Sequence, residues 1–299
     1  MAHRRGTFDE AAIKTAGASI LKGGFGIELK GWRIESCKAP ISSDAELDIV
    51  KERLSGAKNL PEQLFGNSFL RLSHVESGLM LSFTALGALQ AWHADDRPPV
   101  RVDAADAWMR SRERDVQASG ALSLDYDWTY TTQYSGSLQQ DSLPGVSSAG
   151  SDWEWVPTTE QLDKSMLMAR DPILFYDEIP LFESELDDNG VSQLLVKVRV
   201  MPGCWFVLLR FWLRVDRVLV RLYETRLLGS FQQASEQPMV CREVRRSEGT
   251  FAQLHSAGAP PDGPAYQDAD STALALQAAA PIGVTHFSTE HLQRIAGRS

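Results

Sequence analysis

"LLVKVRVMPGCWFVLLRFWLRVDRVLVRLYETRL", residues 194–227, alternates large apolar residues with arginines in three runs, parted by Pro202-Gly203 and Asp216-Arg217. Period-2 alternation of β-branched and aromatic residues marks half-buried strands, and such dipeptides mark turns. The stretch predicts adjacent antiparallel strands. They are continued upstream by "VSQ" (191–193), a turn at Asn189-Gly190 and "ILFYDEIPLFESEL" (173–186). Taking Asp216-Arg217 as a two-residue hairpin turn puts Val215 opposite Val218, Trp212 opposite Arg221 and Arg210 opposite Tyr223. One face then carries Trp205, Val207, Leu209, Phe211, Leu213, Val218, Val220 and Leu222, and is core. The other carries Phe206, Arg210, Trp212, Arg214, Arg221 and Tyr223, a cationic and aromatic surface suited to carboxylates and rings.

Charge is distributed to match. Ile173 to Gly190 holds Asp177, Glu178, Glu183, Glu185, Asp187 and Asp188 and no base. Leu194 to Leu227 holds Lys197, Arg199, Arg210, Arg214, Arg217, Arg221 and Arg226 against Asp216 and Glu224. Cross-strand ion pairs that fix register are the alternative reading for most of these arginines.

A second stretch, "YDWTYTTQYSG" (126–136), places Tyr126, Trp128 and Tyr130 at alternate positions among Asp127, Thr129 and Thr131. The pattern predicts a strand with an aromatic face. That face is either core or part of a peptide-binding groove. Asp127 with Glu183 or Glu185 as an acid/base pair is the enzymatic alternative, carried only by the coincidence of carboxylates in an acidic chain.

Around these stretches, 43–59 reads as a helix capped by Ser43, with "ALGALQAWH" (85–93), "DAADAWMRSRERD" (103–115) and "TTEQLDKSMLMAR" (158–170) as shorter helices. Two short strands flank Ser77-Gly78, and 137–152 is expected to be a mobile loop. Helices early and strands late indicate α+β: a mainly antiparallel, sandwich-like sheet core with several short flanking helices. Residues 1–24 are expected to be a flexible extension, 25–255 a single domain and 256–299 a partly disordered tail, low in bulky side chains.

The 299 residues carry a net charge of -9, which disfavours nucleic acid and anionic membranes as partners. Single-stranded nucleic acid on the cationic hairpin face is the weaker alternative. Three cysteines, Cys37, Cys204 and Cys241, without a CxxC pair argue against a disulfide framework or structural zinc. No secretory or membrane-spanning segment is read, so the expected place is the cytoplasm, with the nucleus as a second compartment. GxSxG, GxxxxGK[ST] and metal-ligand histidine spacings are absent, and no cofactor is expected.

"LPEQLFGNSFLRLSH" (60–74), "YDWTYTTQYSG", "VPTTEQLD" (156–163) and the opening stretch follow one another as they do in the TIPRL, or Tip-forty-one-like, family, which the chain resembles over roughly residues 25–250. The resemblance implies a mainly antiparallel β fold with helices around it. It also implies a non-enzymatic regulator in TOR signalling, monomeric when free. Such a regulator binds catalytic subunits of type 2A serine/threonine phosphatases and their type 4 and type 6 relatives, and a cleft receives the phosphatase's carboxy-terminal tail. With the hairpin chemistry, it marks Asp127, Trp128, Tyr130, Leu162, Arg199, Arg210, Trp212, Arg214, Arg221, Leu222, Tyr223 and Glu224 as candidate partner-binding residues. The chain departs from the family at Asp216-Arg217, where Asp-Gly is usual, and at Gly87, where an Asp is usual.

Overall fold

Alternating apolar residues outweigh helix formers through most of the chain, and the computed structural model is accordingly α+β. It describes residues 6–23, 25–57, 59–103, 121–122, 126–140, 152–231, 238–260, 263–279 and 283–295. Strands β1 (Thr7–Phe8) and β2 (Ser19–Ile20) flank helix α1 (Glu10–Ala16), whose Ala12 N–H donates to the Asp9 carboxylate. A hairpin follows, β3 (Gly26–Leu29) and β4 (Trp32–Cys37), and then helix α2 (Asp44–Arg53), which starts in a Ser43–Glu46 capping box. After β5 (Gln63–Leu64) come β6 (Phe69–His74), β7 (Leu79–Thr84) and helix α3 (Ala85–His93), capped by Thr84. Strands β8 (Val102–Asp103) and β9 (Ala121–Leu122) pair with each other.

The second half opens with β10 (Ser137–Gln140), β11 (Trp153–Pro157) and the short helix α4 (Lys164–Met168). Five long strands follow: β12 (Phe175–Ser184), β13 (Gly190–Val200), β14 (Cys204–Val215), β15 (Leu219–Ser230) and β16 (Val240–Thr250). Helix α5 (Phe251–Ser256), a 3-10 turn at Gly263–Tyr266, helix α6 (Ala269–Ala278) and strand β17 (Val284–Arg294) come last.

All pairing is antiparallel. The large sheet runs β1-β12-β13-β14-β15-β16-β17-β11, with β5 also on β12, and the small sheet runs β10-β7-β6-β4-β3-β2. Their inner faces share one apolar core, in which Trp32 meets Trp205 edge-on at 4.9 Å. A buried polar contact also ties the sheets together. The Ser36 hydroxyl donates to Asp177 at 2.5 Å, and the Lys38 ammonium lies 2.5 Å from the same carboxylate.

Several expectations are corrected. "YDWTYTTQYSG" is not a strand but an irregular buried segment, with Tyr130 at φ 57°. The Asp127 carboxylate accepts from the backbone N–H of Thr129 and Thr131, so those donors are spent within the segment rather than on a neighbouring strand. The expected helix at 158–170 shrinks to five residues and is capped by Asp163. Helix 103–115 and loop 137–152 lie largely outside the described residues. The amino-terminal extension contains α1 and pairs β1 with β12. The expected tail contains α6 and inserts β17 between β16 and β11. Its small side chains suit close packing, because Trp212, Val220 and Leu222 of the sheet supply the bulk.

Candidate functional site

The hairpin turn decides which arginines share a face. The Val218 N–H closes the turn on the Val215 carbonyl, yet the ladder resumes at Val215–Leu219. Val218 is therefore an extra residue beside Arg217, which sits at φ 61°. One inserted residue moves every β15 side chain to the other face relative to the two-residue reading. Arg210 is paired with Glu224, Trp212 with Leu222, Leu213 with Arg221 and Phe211 with Tyr223. Arg221 and Tyr223 thus belong to the inner face, while Val220 and Leu222 join Arg210, Trp212 and Arg214 outside.

On the inner face a polar network sits under the aromatic segment. The Thr129 hydroxyl donates to Asp127 at 2.5 Å and lies 2.7 Å from the Thr131 hydroxyl, to which Arg221 donates at 2.8 Å. Arg221 also pairs with Glu248 at 2.7 Å, and Glu248 accepts from the Tyr223 hydroxyl at 3.0 Å. Tyr223 in turn accepts from Arg97, which is held by Asp95 at 2.8 Å. Burial pushes the Asp127 carboxyl above its ordinary range against the opposing pull of the Thr129 bonds and Arg221. Burial also presses on Glu248, but its bonds to Arg221 and Tyr223 outweigh that and hold it low. Trp128 donates to the Val100 carbonyl, and Tyr130 donates to the Leu60 carbonyl and packs on Trp92. These aromatics are core.

The outer face is half covered. Helix α6 and the Gly263–Tyr266 turn lie over Trp212, Val220 and Leu222. Trp212 donates its indole N–H to Thr272, Arg214 donates to the Tyr266 carbonyl, and Arg210 bonds Asp270. Arg210 is buried and also grips Glu224 through two N–H groups, at 2.9 and 2.7 Å. Burial alone would depress that guanidinium, but Glu224 and Asp270 reverse the effect and raise it. At the other end Leu162 packs with Met201, Cys204 and Leu228 beneath α4, and burial lifts the Cys204 thiol to about 11.

Between the two covers an open strip remains. Cross-strand register aligns Glu178, Lys197, Leu208, Arg226 and Glu243 in one row across β12 to β16. Arg199 and Phe206 lie in the row on one side, Arg245 and Phe287 in the row on the other. Arg199 and Arg245 are exposed and make no ion pair among the described residues. Arg226 leans on the buried Glu224 at 2.7 Å, and Lys197 on Glu178 at 3.3 Å.

The structure therefore brings together Leu162, Arg199, Arg210, Trp212, Arg214, Leu222 and Glu224 on the outer face, and sends Asp127, Trp128, Tyr130, Arg221 and Tyr223 inside. Arg210, Arg214 and Arg221 are bonded framework rather than free cations. The expected acid/base pair is not assembled: Glu183 pairs in register with Gln193 on the outer face, on the far side of the sheet from Asp127, and Glu185 is exposed just beyond β12 while Asp127 is buried. Among the described residues no cluster of His, Cys, Asp and Glu is arranged to hold a metal. Arg97, Arg245, Arg246 and Glu248 were not anticipated. The alternation in "VCREVRRSEGT" is a strand signal that would have found the last three.

Comparison with known proteins agrees with the motifs. A profile of the TIP41-like family matches residues 63–255. A TIP41-like protein of Arabidopsis thaliana is 40% identical over 276 residues, covering 90% of this chain and 93% of its own. The human TIP41-like protein is 37% identical over 223 residues, 75% of this chain and 76% of its own. The type 2A phosphatase activator TIP41 of Saccharomyces cerevisiae is 38% identical over 239 residues, 75% of this chain and 63% of its own. With the matched region spanning both sheets and the arginine-bearing hairpin, the chain belongs to the TIP41-like family.

Proposed function

We propose that this protein is a non-enzymatic regulator that binds catalytic subunits of type 2A, type 4 and type 6 phosphatases, in the cytoplasm and nucleus, within TOR signalling. The outer strip is its contact surface, and the carboxy-terminal tail of the phosphatase is its ligand. The names of the yeast relatives as type 2A phosphatase activators support the phosphatase assignment. The strip's chemistry supports the tail. A tail ending in aromatic and aliphatic residues with a free carboxylate needs a fixed cation beside an apolar floor. Arg199 and Arg245 supply cations, and Phe206, Leu208 and Phe287 supply the floor.

The observation that carries this reading is that Arg199 and Arg245, exposed and without an ion pair among the described residues, stand beside Phe206 and Phe287 on one sheet face of a chain with net charge -9. Complementary charge of this kind governs capture and specificity. Affinity purification from cell extract should enrich a type 2A-class catalytic subunit, and Arg199→Glu with Arg245→Glu should weaken its binding by about tenfold or more. Both positions are exposed, so the melting temperature should hold. Full phosphatase binding by a folded double variant would remove the strip from consideration.

A further inference from the structure

One segment of the outer face is attached by very little. It begins after Leu162, whose N–H donates to Glu243 at 2.9 Å, and ends at Leu174, whose N–H donates to the Val200 carbonyl at 2.8 Å. Among the described residues, 163–173 make no hydrogen bond or ion pair outside their own stretch, the Asp163 cap on Ser165 being internal to it. Helix α4, within this stretch, contains no buried residue. Apolar contact ties it to the sheet: half-buried Met166 and Leu167 pack on the cluster of Leu162, Met201, Cys204 and Leu228. One of the two side chains that seat the helix is therefore a thioether.

Sulfur chemistry sorts the residues around it. Thiols oxidise as thiolates, and burial lifts the Cys204 thiol to about 11 and raises Cys37 and Cys241 as well. Near neutral pH all three are kept as thiols. A thioether reacts without losing a proton, so exposure decides among the methionines. Met201 is 2% exposed and shielded, while Met168 is 81% exposed but stands outside the cluster. Met166 is both reachable and anchoring. We propose that Met166 is an oxidation site for hydrogen peroxide, and that its sulfoxide releases residues 163–173 from the sheet. The sulfur lone pair attacks one peroxide oxygen and the O–O bond breaks. The second oxygen leaves as hydroxide and takes the proton from the first, forming water. The thioether loses two electrons and the peroxide gains them. An apolar anchor is thereby replaced by a polar S=O group, which the cluster of Leu162, Met201, Cys204 and Leu228 cannot solvate. Release uncovers that cluster beside Phe206, and so enlarges the apolar floor of the outer strip. The site itself does not depend on what the strip binds.

The test treats the full chain with hydrogen peroxide and reads its thiols after they are re-reduced, so no phosphatase is involved. Peptide mass spectrometry locates the added oxygen, and Cys204, beneath α4, is labelled with a maleimide. Once Met166 carries the oxygen, Cys204 should label at least about tenfold faster, because its labelling follows the opening of the segment above it. Cys37, on the small sheet, should keep its rate, which separates local release from unfolding. Methionine sulfoxide reductase with a thiol reductant should restore the slow rate. Met166→Leu should stay slow after the same treatment, whereas Met168→Leu should respond as the wild type does. Met166→Gln, a polar stand-in for the sulfoxide, should label fast without oxidant. Three results overturn the proposal: slow Cys204 labelling in protein oxidised at Met166, a Met166 left intact while Met168 is oxidised, or fast labelling in oxidised Met166→Leu.

Discussion

Glu224 is 4% exposed and serves two guanidiniums, one buried and one open to solvent. Removing Arg210 leaves that carboxylate short of its inner partner. Arg210→Ala should therefore cost about 3–5 kcal/mol, read as a lowered midpoint in denaturant. Arg210→Met with Glu224→Leu should recover most of the loss, since no charge is then stranded. An unchanged midpoint in the single variant would contradict the framework role. Glu248 gives a pH signature. Its folded-state value lies below the ordinary one, so its stabilisation is complete above the unfolded value near about 4.3 and drains as pH falls through the folded value. Glu248→Gln should be less stable at neutral pH and lose less on acidification from roughly pH 5 to 3, measured by urea titration. Asp127, raised by burial, acts with the opposite sign, because the fold favours its protonated form.

Elements turn on single backbone positions. Arg217 occupies the left-handed region in the turn before β15, and a side chain there is strained. Arg217→Gly should stabilise the hairpin by about 0.5–1 kcal/mol without changing register, checked by thermal unfolding. Gly229 is the reverse case. It faces Trp205 across β14 and β15, and a Cβ there would lie 2.1 Å from the indole. Gly229→Ala should cost about 1–3 kcal/mol and disturb the Trp32–Trp205 contact, visible as altered tryptophan fluorescence. These positions also explain what was legible. The long strands β12 to β15 were readable because alternation is local. The register was not, because one residue at Arg217 shifts the pairing and nothing in the alternation announces it. Asp127 misled in a similar way: its neighbours alternate, but its carboxylate competes for the backbone donors that a strand would share. As a result of the register shift, Arg221 and Tyr223 moved to the inner face and Leu222 and Glu224 to the outer.

At the scale of the molecule, the outer face needs the segment beyond residue 255. Truncation there removes α6 and β17, uncovers Trp212, Val220 and Leu222, and frees the edge of β16. The shortened chain should bind a hydrophobic dye and lose cooperative unfolding, whereas retention of a sharp transition would show that the segment is dispensable. The position of β17 also bears on how the protein is made. Its two neighbours, β16 and β11, lie far apart along the chain, and both precede it. A ribosome delivers β11 long before the strand that will hold it, and β16 waits with an unpaired edge until Val284 and its successors emerge. Non-local pairing of this kind is slow and leaves sticky edges open meanwhile. The nascent chain is therefore most vulnerable in the interval between β16 and β17, and that interval is where a chaperone has work to do.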